Sequence, residues 1–115
     1  MDSKVYNSTR AIGDCMGTII LSTLSKITYL DGLIGRIYKI LPLYEELGEL
    51  PIQVYIGALM IDVNSANELF DGKLVDVLVK LNSIYEKEST HKQIKKTTFE
   101  CTNMVQKMKD VLLDG

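Results

Sequence analysis

Apolar side chains recur along this chain at intervals of three and four residues, the spacing that gathers them on one face of a helix. From Thr9 to Leu30 the residues Ile12, Cys15, Met16, Ile19, Ile20, Leu24, Ile27 and Leu30 keep that spacing, which predicts a first helix ending near Asp31-Gly32. Leu33, Ile34, Ile37, Tyr38, Ile40 and Leu41 carry the pattern on to Pro42. There the missing N–H and the clash of the ring end or kink a helix. Leu43 to Leu47 makes one more turn before Gly48, a residue free to adopt the left-handed backbone of a helix end. Pro51 suits the first turn of a new helix, and Ile52, Tyr55, Ile56, Leu59, Met60 and Val63 form its stripe. The β-branched content of Ile52 to Ile56 also fits a short strand. Asn64-Ser65 breaks or tightens the helix ahead of Leu69-Phe70, and Asp71-Gly72 ends it. A further stripe runs through Leu74, Val75, Leu78, Leu81, Ile84 and Tyr85. After the polar stretch from Glu86 to Lys92, the last helix carries Ile94, Phe99, Cys101, Met104, Val105, Met108, Val111 and Leu112 to Asp114-Gly115.

The punctuation repeats. Tyr29-Leu30-Asp31-Gly32, Leu69-Phe70-Asp71-Gly72 and Leu112-Leu113-Asp114-Gly115 follow one another at spacings of about 40 residues. The flanks of the first two agree as well, with Lys73 as one extra residue. Leu33 pairs with Leu74, Ile37 with Leu78, Lys39 with Lys80, Ile40 with Leu81, Leu43 with Ile84, and Tyr44 with Tyr85. The third copy is worn. Upstream, Gly13 and Gly57 stand at equivalent places, where they would let packed helices approach closely. The physical reading is a single domain over residues 1–115, in units of roughly 1–31, 32–71 and 72–115, each too small to bury its apolar face alone.

The run PIQVYIGALMIDVNSANELFDGKLVDVLVKL resembles an armadillo repeat: a long helix with a small-Ala-Leu core, a turn containing Asn64 and Asn67, a Gly break at Gly72, and a short Leu/Val-rich helix. HEAT-like repeats share much of this pattern. The resemblance implies an all-α fold, a short right-handed solenoid that binds a protein or peptide on the concave wall of its long helices. In armadillo proteins a ladder of Asn side chains holds the peptide. Here the ladder position falls on Gly17, Ile61 and Asn103, and only the last is Asn. The alternative architecture is a compact helical bundle, a small regulator or inhibitor in which the repeat records an old duplication.

Composition narrows the chemistry. With 46% hydrophobic and 24% charged residues, a chain of 115 can bury a core without metal or disulfide staples. A formal charge of -2 gives no general attraction to nucleic acid or anionic membrane. Lys26, Asp31, Arg36 and Lys39 interrupt the most apolar stretch, so no window can span a bilayer. The N-terminal MDSKVYNSTRAIGD lacks the basic-then-apolar order of a secretory signal, and the glycosylation motif Asn7-Ser8-Thr9 is read as chance. Cys15 and Cys101 sit far apart on apolar faces and read as reduced, buried thiols of a cytoplasmic protein.

Catalytic groupings are scarce, with one His, two Cys and no Gly-rich phosphate loop, so the expectation is a protein that is not an enzyme and holds no cofactor or metal. The candidate contact residues lie on the outer face of the long-helix row: Asp14, Thr18, Asp62, Asn103 and Lys107. His91, Lys92, Lys95 and Lys96 form a basic patch at a helix start, where the dipole gives them no help. Glu45, Glu46 and Glu49 read as a solvated helix end, and Tyr44 and Tyr85 as packing side chains with wet hydroxyls. The expected partner is another protein or peptide, with self-association through exposed repeat ends as a second route.

Overall fold

The computed structural model describes residues 23–86 and 88–114, and every regular element among them is helical. Helix α1 occupies residues 23–38 as far as it is described, α2 is Ile40–Leu47, α3 is Glu49–Ala66, α4 is Val75–Tyr85 and α5 is His91–Asp114. The Ile52 to Ile56 stretch lies within α3 and is not a strand.

Helices α1 and α2 are almost one rod. Leu30, Leu33, Ile37 and Ile40 form a single fully buried stripe across the junction. Backbone bonds from Lys39 N–H to the Gly35 carbonyl and from Leu43 N–H to the Lys39 carbonyl bracket it. The interruption falls at Lys39, not at Pro42, for a simple reason. What proline removes is the bond back to the residue four earlier, here Tyr38, so the ladder fails one turn ahead of the ring. The rod ends where Gly48 N–H donates to the Tyr44 carbonyl, with Gly48 at φ 88° and an extended ψ of -170°, a combination only glycine takes without strain.

The Asp31-Gly32 pair, expected to end the first helix, lies inside α1 and faces solvent. The second copy behaves differently. After a 3₁₀ turn at Asn67–Phe70, Asp71 (φ 54°) and Gly72 (φ 77°) are both left-handed, and the chain doubles back into α4. The Asn67 side chain fixes this turn, its Oδ1 accepting from the Leu74 N–H at 2.9 Å. Helix α5 opens on a capping box: Gln93 N–H donates to the Thr90 hydroxyl, and the Gln93 side chain accepts from the Thr90 N–H at 2.8 Å.

Cross-helix contacts give the directions. Tyr29 and Arg36 of α1 both reach Asp62 near the end of α3, while Tyr55 donates to the Arg36 carbonyl. Tyr85, closing α4, meets Gln53 and Gly57 early in α3. Lys80 of α4 pairs with Glu100 of α5. At the two ends of α5, His91 approaches Glu45 and Lys109 pairs with Asp31. The α1–α2 rod, α3, α4 and α5 therefore run antiparallel each to the next, and α5 comes back against α1 and α2, so that α2 packs on both α3 and α5. The core fills the middle, contributed by the α1–α2 stripe, by Ile52, Ile56, Leu59 and Val63, by Leu74, Val77, Leu81 and Ile84, and by Ile94, Cys101 and Val105. No helix among the described residues is long and apolar enough to cross a membrane.

Candidate functional site

Helix α3 is apolar on nearly every side: ELPIQVYIGALMIDVNSA holds only Glu49 and Asp62 as charges over 18 residues. One stripe, Ile52, Ile56, Leu59 and Val63, is buried. A second stripe on the opposite side is not. Leu50, Val54 and Ile61 are 76%, 73% and 72% exposed, with exposed Ala58 between them. A helix hydrophobic all round is normally covered all round. Here α5 packs on α4 and α2, and among the described residues the outer face of α3 is left exposed.

That face continues onto α4. Ile61 and Met60 share an open depression of about 430 Å³ with Leu78, Val79 and the amides of Asn64 and Asn82. The same two side chains, with Val54, Ala58 and Tyr85, line a neighbouring one of about 550 Å³. Val54 and Tyr85 lead on to Leu50 and Glu86. These depressions share walls and form one groove along the α3–α4 seam. Its floor is set at Gly57, where an added Cβ would stand 3.0 Å from Cε1 of Tyr85, so the missing side chain is what lets the Tyr85 ring lie across α3. Val79 at 62% exposed and Val75 at 47% extend the apolar surface along α4.

Among the residues that line the three depressions only Glu86 is charged. Glu49, in the first turn of α3, has its Oε1 buried without a hydrogen-bond partner among the described residues. The nearest described cation on α4, Lys80, is turned the other way and held 2.6 Å from Glu100. That contact lowers the Glu100 carboxyl and raises the Lys80 ammonium from their ordinary values.

The residues anticipated as contacts do not gather in this groove. Asp14 and Thr18, with Cys15, lie outside the described residues. Asp62 faces α1, where the Arg36 guanidinium binds its carboxylate, the Tyr29 hydroxyl donates to it at 3.3 Å, and Arg36 sits 5.5 Å above the Tyr29 ring. Burial, with the Asp62 charge added, raises the Tyr29 phenol from its usual value. Asn103 is exposed on α5. Lys107 lines a separate cavity of about 260 Å³ with Lys26, Lys73 and Asp71 over Phe70, Met108, Val111 and Leu112. In the basic patch, His91 is engaged with Glu45 at 3.2 Å and stacks near Tyr44, Lys92 and Lys95 are exposed, and Lys96 lines the α4–α5 surface beside Glu100. No group of three or more His, Cys, Asp or Glu among the described residues could hold a metal ion.

Cys101 is fully buried, and burial pushes its thiol from 9.0 up to about 12. The folded value lies above the unfolded one. The group's contribution to stability is therefore whole below about pH 9 and lost as pH rises toward 12. Iodoacetamide at pH 8 will leave Cys101 unmodified in the folded protein and alkylate it in denaturant, as read by peptide mapping. Rapid labelling without denaturant would remove Cys101 from the core.

No family model, curated protein or solved structure matches the chain. The groove was missed in the sequence because its residues carry the same letters as the core. Leu50, Val54 and Ile61 fall off the main stripe of α3, and that surplus of apolar positions on an uncharged helix was the available signal.

Proposed function

We propose that this chain is a non-catalytic interaction protein, an antiparallel helical bundle that docks another protein along the α3–α4 groove. The observation that carries the reading is the uncharged outer face of α3, with Leu50, Val54 and Ile61 in solvent and continuous with Val79 of α4. Depletion of charge at an apolar patch distinguishes interface cores from ordinary surface. A patch of this kind on an isolated domain marks an interaction site.

The bundle form of the alternative supports it better than the solenoid does. In an open stack each unit touches only its neighbours. Among the described residues the last helix returns to the first, a contact that favours the up-down-up-down bundle, in which the binding surface would be one face of the bundle. The described ionisable groups favour binding over catalysis, since Arg36, Asp62, Lys80, Glu100, Asp31 and Lys109 are spent in pairs between helices.

The test introduces a charge at the groove centre. Ala58→Arg and Ile61→Arg, both at exposed positions, are expected to keep the circular dichroism spectrum and melting temperature of the parent. Proteins captured by the parent chain from a native lysate should be lost from both variants, a drop of at least about tenfold for a charge forced against an apolar partner surface. Retention of the same proteins by both variants would remove the groove from consideration.

A further inference from the structure

We infer that the cavity bounded by α1, the turn joining α3 to α4, and α5 binds a small amphipathic anion, an apolar body of about ten carbons bearing a carboxylate or phosphate head. This site is separate from the α3–α4 groove and does not depend on it.

Size and lining select the body. The cavity measures about 260 Å³. A dry cavity of about 150 Å³ holds a six-carbon ring, which scales to about ten carbons here and leaves no room for a helix or a strand. Phe70, Met108, Val111 and Leu112 give the cavity apolar walls. Phe70 is 6% exposed and its ring lies 5.7 Å from that of Tyr29, so this wall is anchored in the core. The turn brings the rest. Asp71 and Gly72 are both left-handed and the Asn67 side chain holds the Leu74 N–H, so that Phe70 and Lys73 line the same cavity from either side of the Asp-Gly pair. Lys73 is also the one residue by which the second sequence unit exceeds the first.

Charge selects the head. Lys26 from α1, Lys73 from the turn and Lys107 from α5 all line this cavity, and Asp71 is the one acid among its described lining residues. Lys80 and Lys109 show what becomes of a lysine with an acid in reach: each is tied to a carboxylate on another helix, at 2.6 and 2.8 Å. Lys26, Lys73 and Lys107 have no such ion pair among the described residues. Three cations from three separate elements around an apolar concavity focus a positive field into it. One anionic head offsets their mutual repulsion while its body covers the apolar walls, and the lysine stems add to those walls. A neutral or cationic amphiphile gains the apolar contact alone. Carboxylate and phosphate present the same point-charge contact to an ammonium group, so the choice between them falls to experiment.

The experiment titrates the isotope-labelled full chain with decanoate, decyl phosphate, decanol and decyltrimethylammonium, each kept below micelle formation. The anionic amphiphiles are expected to shift the amide signals of Phe70, Lys73, Met108 and Leu112. The tighter of the two, which names the head, should bind at least about tenfold more strongly than decanol, by a margin that narrows as salt is raised. The double variant Lys73→Glu/Lys107→Glu, at two exposed positions, should keep the parent melting temperature, lose that margin and leave decanol binding unchanged. If the Glu pair unfolds the chain, Lys73→Gln/Lys107→Gln supplies the same comparison. Ala58→Arg, in the groove, should alter none of these affinities. Equal binding of the anions and decanol, or a margin that survives removal of both lysines, would overturn the inference. So would anion-induced shifts confined to α3 and α4, or sedimentation of the chain with phosphatidylglycerol vesicles without binding of the free anions.

Discussion

Leu33→Ala will lower the unfolding free energy by about 3 kcal/mol, a large part of the roughly 5–15 kcal/mol that holds a domain of this size together. Leu33 has no exposed surface, and it stands between Leu30 and Ile37 in the stripe that α1 and α2 share. Truncating it removes the transfer energy of three carbons and leaves a cavity that helices clamped by the Arg36–Asp62 and Asp31–Lys109 contacts can close only in part. Urea unfolding followed by circular dichroism reads the effect as a lower midpoint at unchanged slope. The informative comparison is Leu50→Ala and Ile61→Ala, which delete similar side chains from the outer face of α3. Those variants should shift stability by no more than about 0.5 kcal/mol. A loss at Leu50 equal to that at Leu33 would mean that the outer face of α3 is covered within the monomer, and the groove would disappear with it.

Much of the secondary structure was legible because its determinants are local. Pro51 in the first turn of α3, Gly48 at a positive φ and the 3.6-residue stripes of α4 and α5 each depend on a few adjacent residues. The Asp-Gly signature was legible as a repeat but not as a structure. At Asp71-Gly72 the turn is held by Asn67, whose side chain takes the Leu74 N–H. The residue four before Asp31 is Ile27, which has no acceptor to offer, so the backbone keeps its helical bonds. The cost of a helical glycine, about 1 kcal/mol, is outweighed by burying Leu30 and Leu33 on either side. What the aligned units do share is burial: Leu33 and Leu74, and Ile40 and Leu81, are fully enclosed. The capping box at Thr90 and Gln93 was readable from spacing alone and was not drawn from it.

The groove was not legible because it depends on what fails to pack. Periodicity locates one apolar stripe on α3, and it cannot say which of two apolar faces lacks a neighbour until α5 is known to return to α1 and α2. Periodicity is equally silent on what Asp62 meets, because the antiparallel packing of α1 and α3 is what brings Tyr29 and Arg36 against it.

The double substitution Thr98→Val/Thr102→Val will raise stability by about 2–4 kcal/mol, an outcome most core substitutions cannot give. Thr98 and Thr102 are 6% and 5% exposed, and both hydroxyl oxygens are buried without a hydrogen-bond partner among the described residues. Thr98 lies seven residues after His91 and Thr102 seven before Lys109, so both belong to the seam that α5 forms with α1 and α2. An unsatisfied buried hydroxyl costs about 1–3 kcal/mol, and valine keeps its shape and branching while removing the polar atom. The two sites are one helical turn apart, so the gains will not add fully. Thermal unfolding should rise by about 10 °C for the pair. A loss of stability in both single variants would mean that the hydroxyls are satisfied within the seam. A gain in stability together with weaker dispersion of amide signals would carry a further meaning, since it would assign the threonine pair to fixing the register of α5 against the α1–α2 rod. That register bears on the groove directly. It determines which helices α5 covers, and therefore why, among the described residues, the outer face of α3 is left exposed.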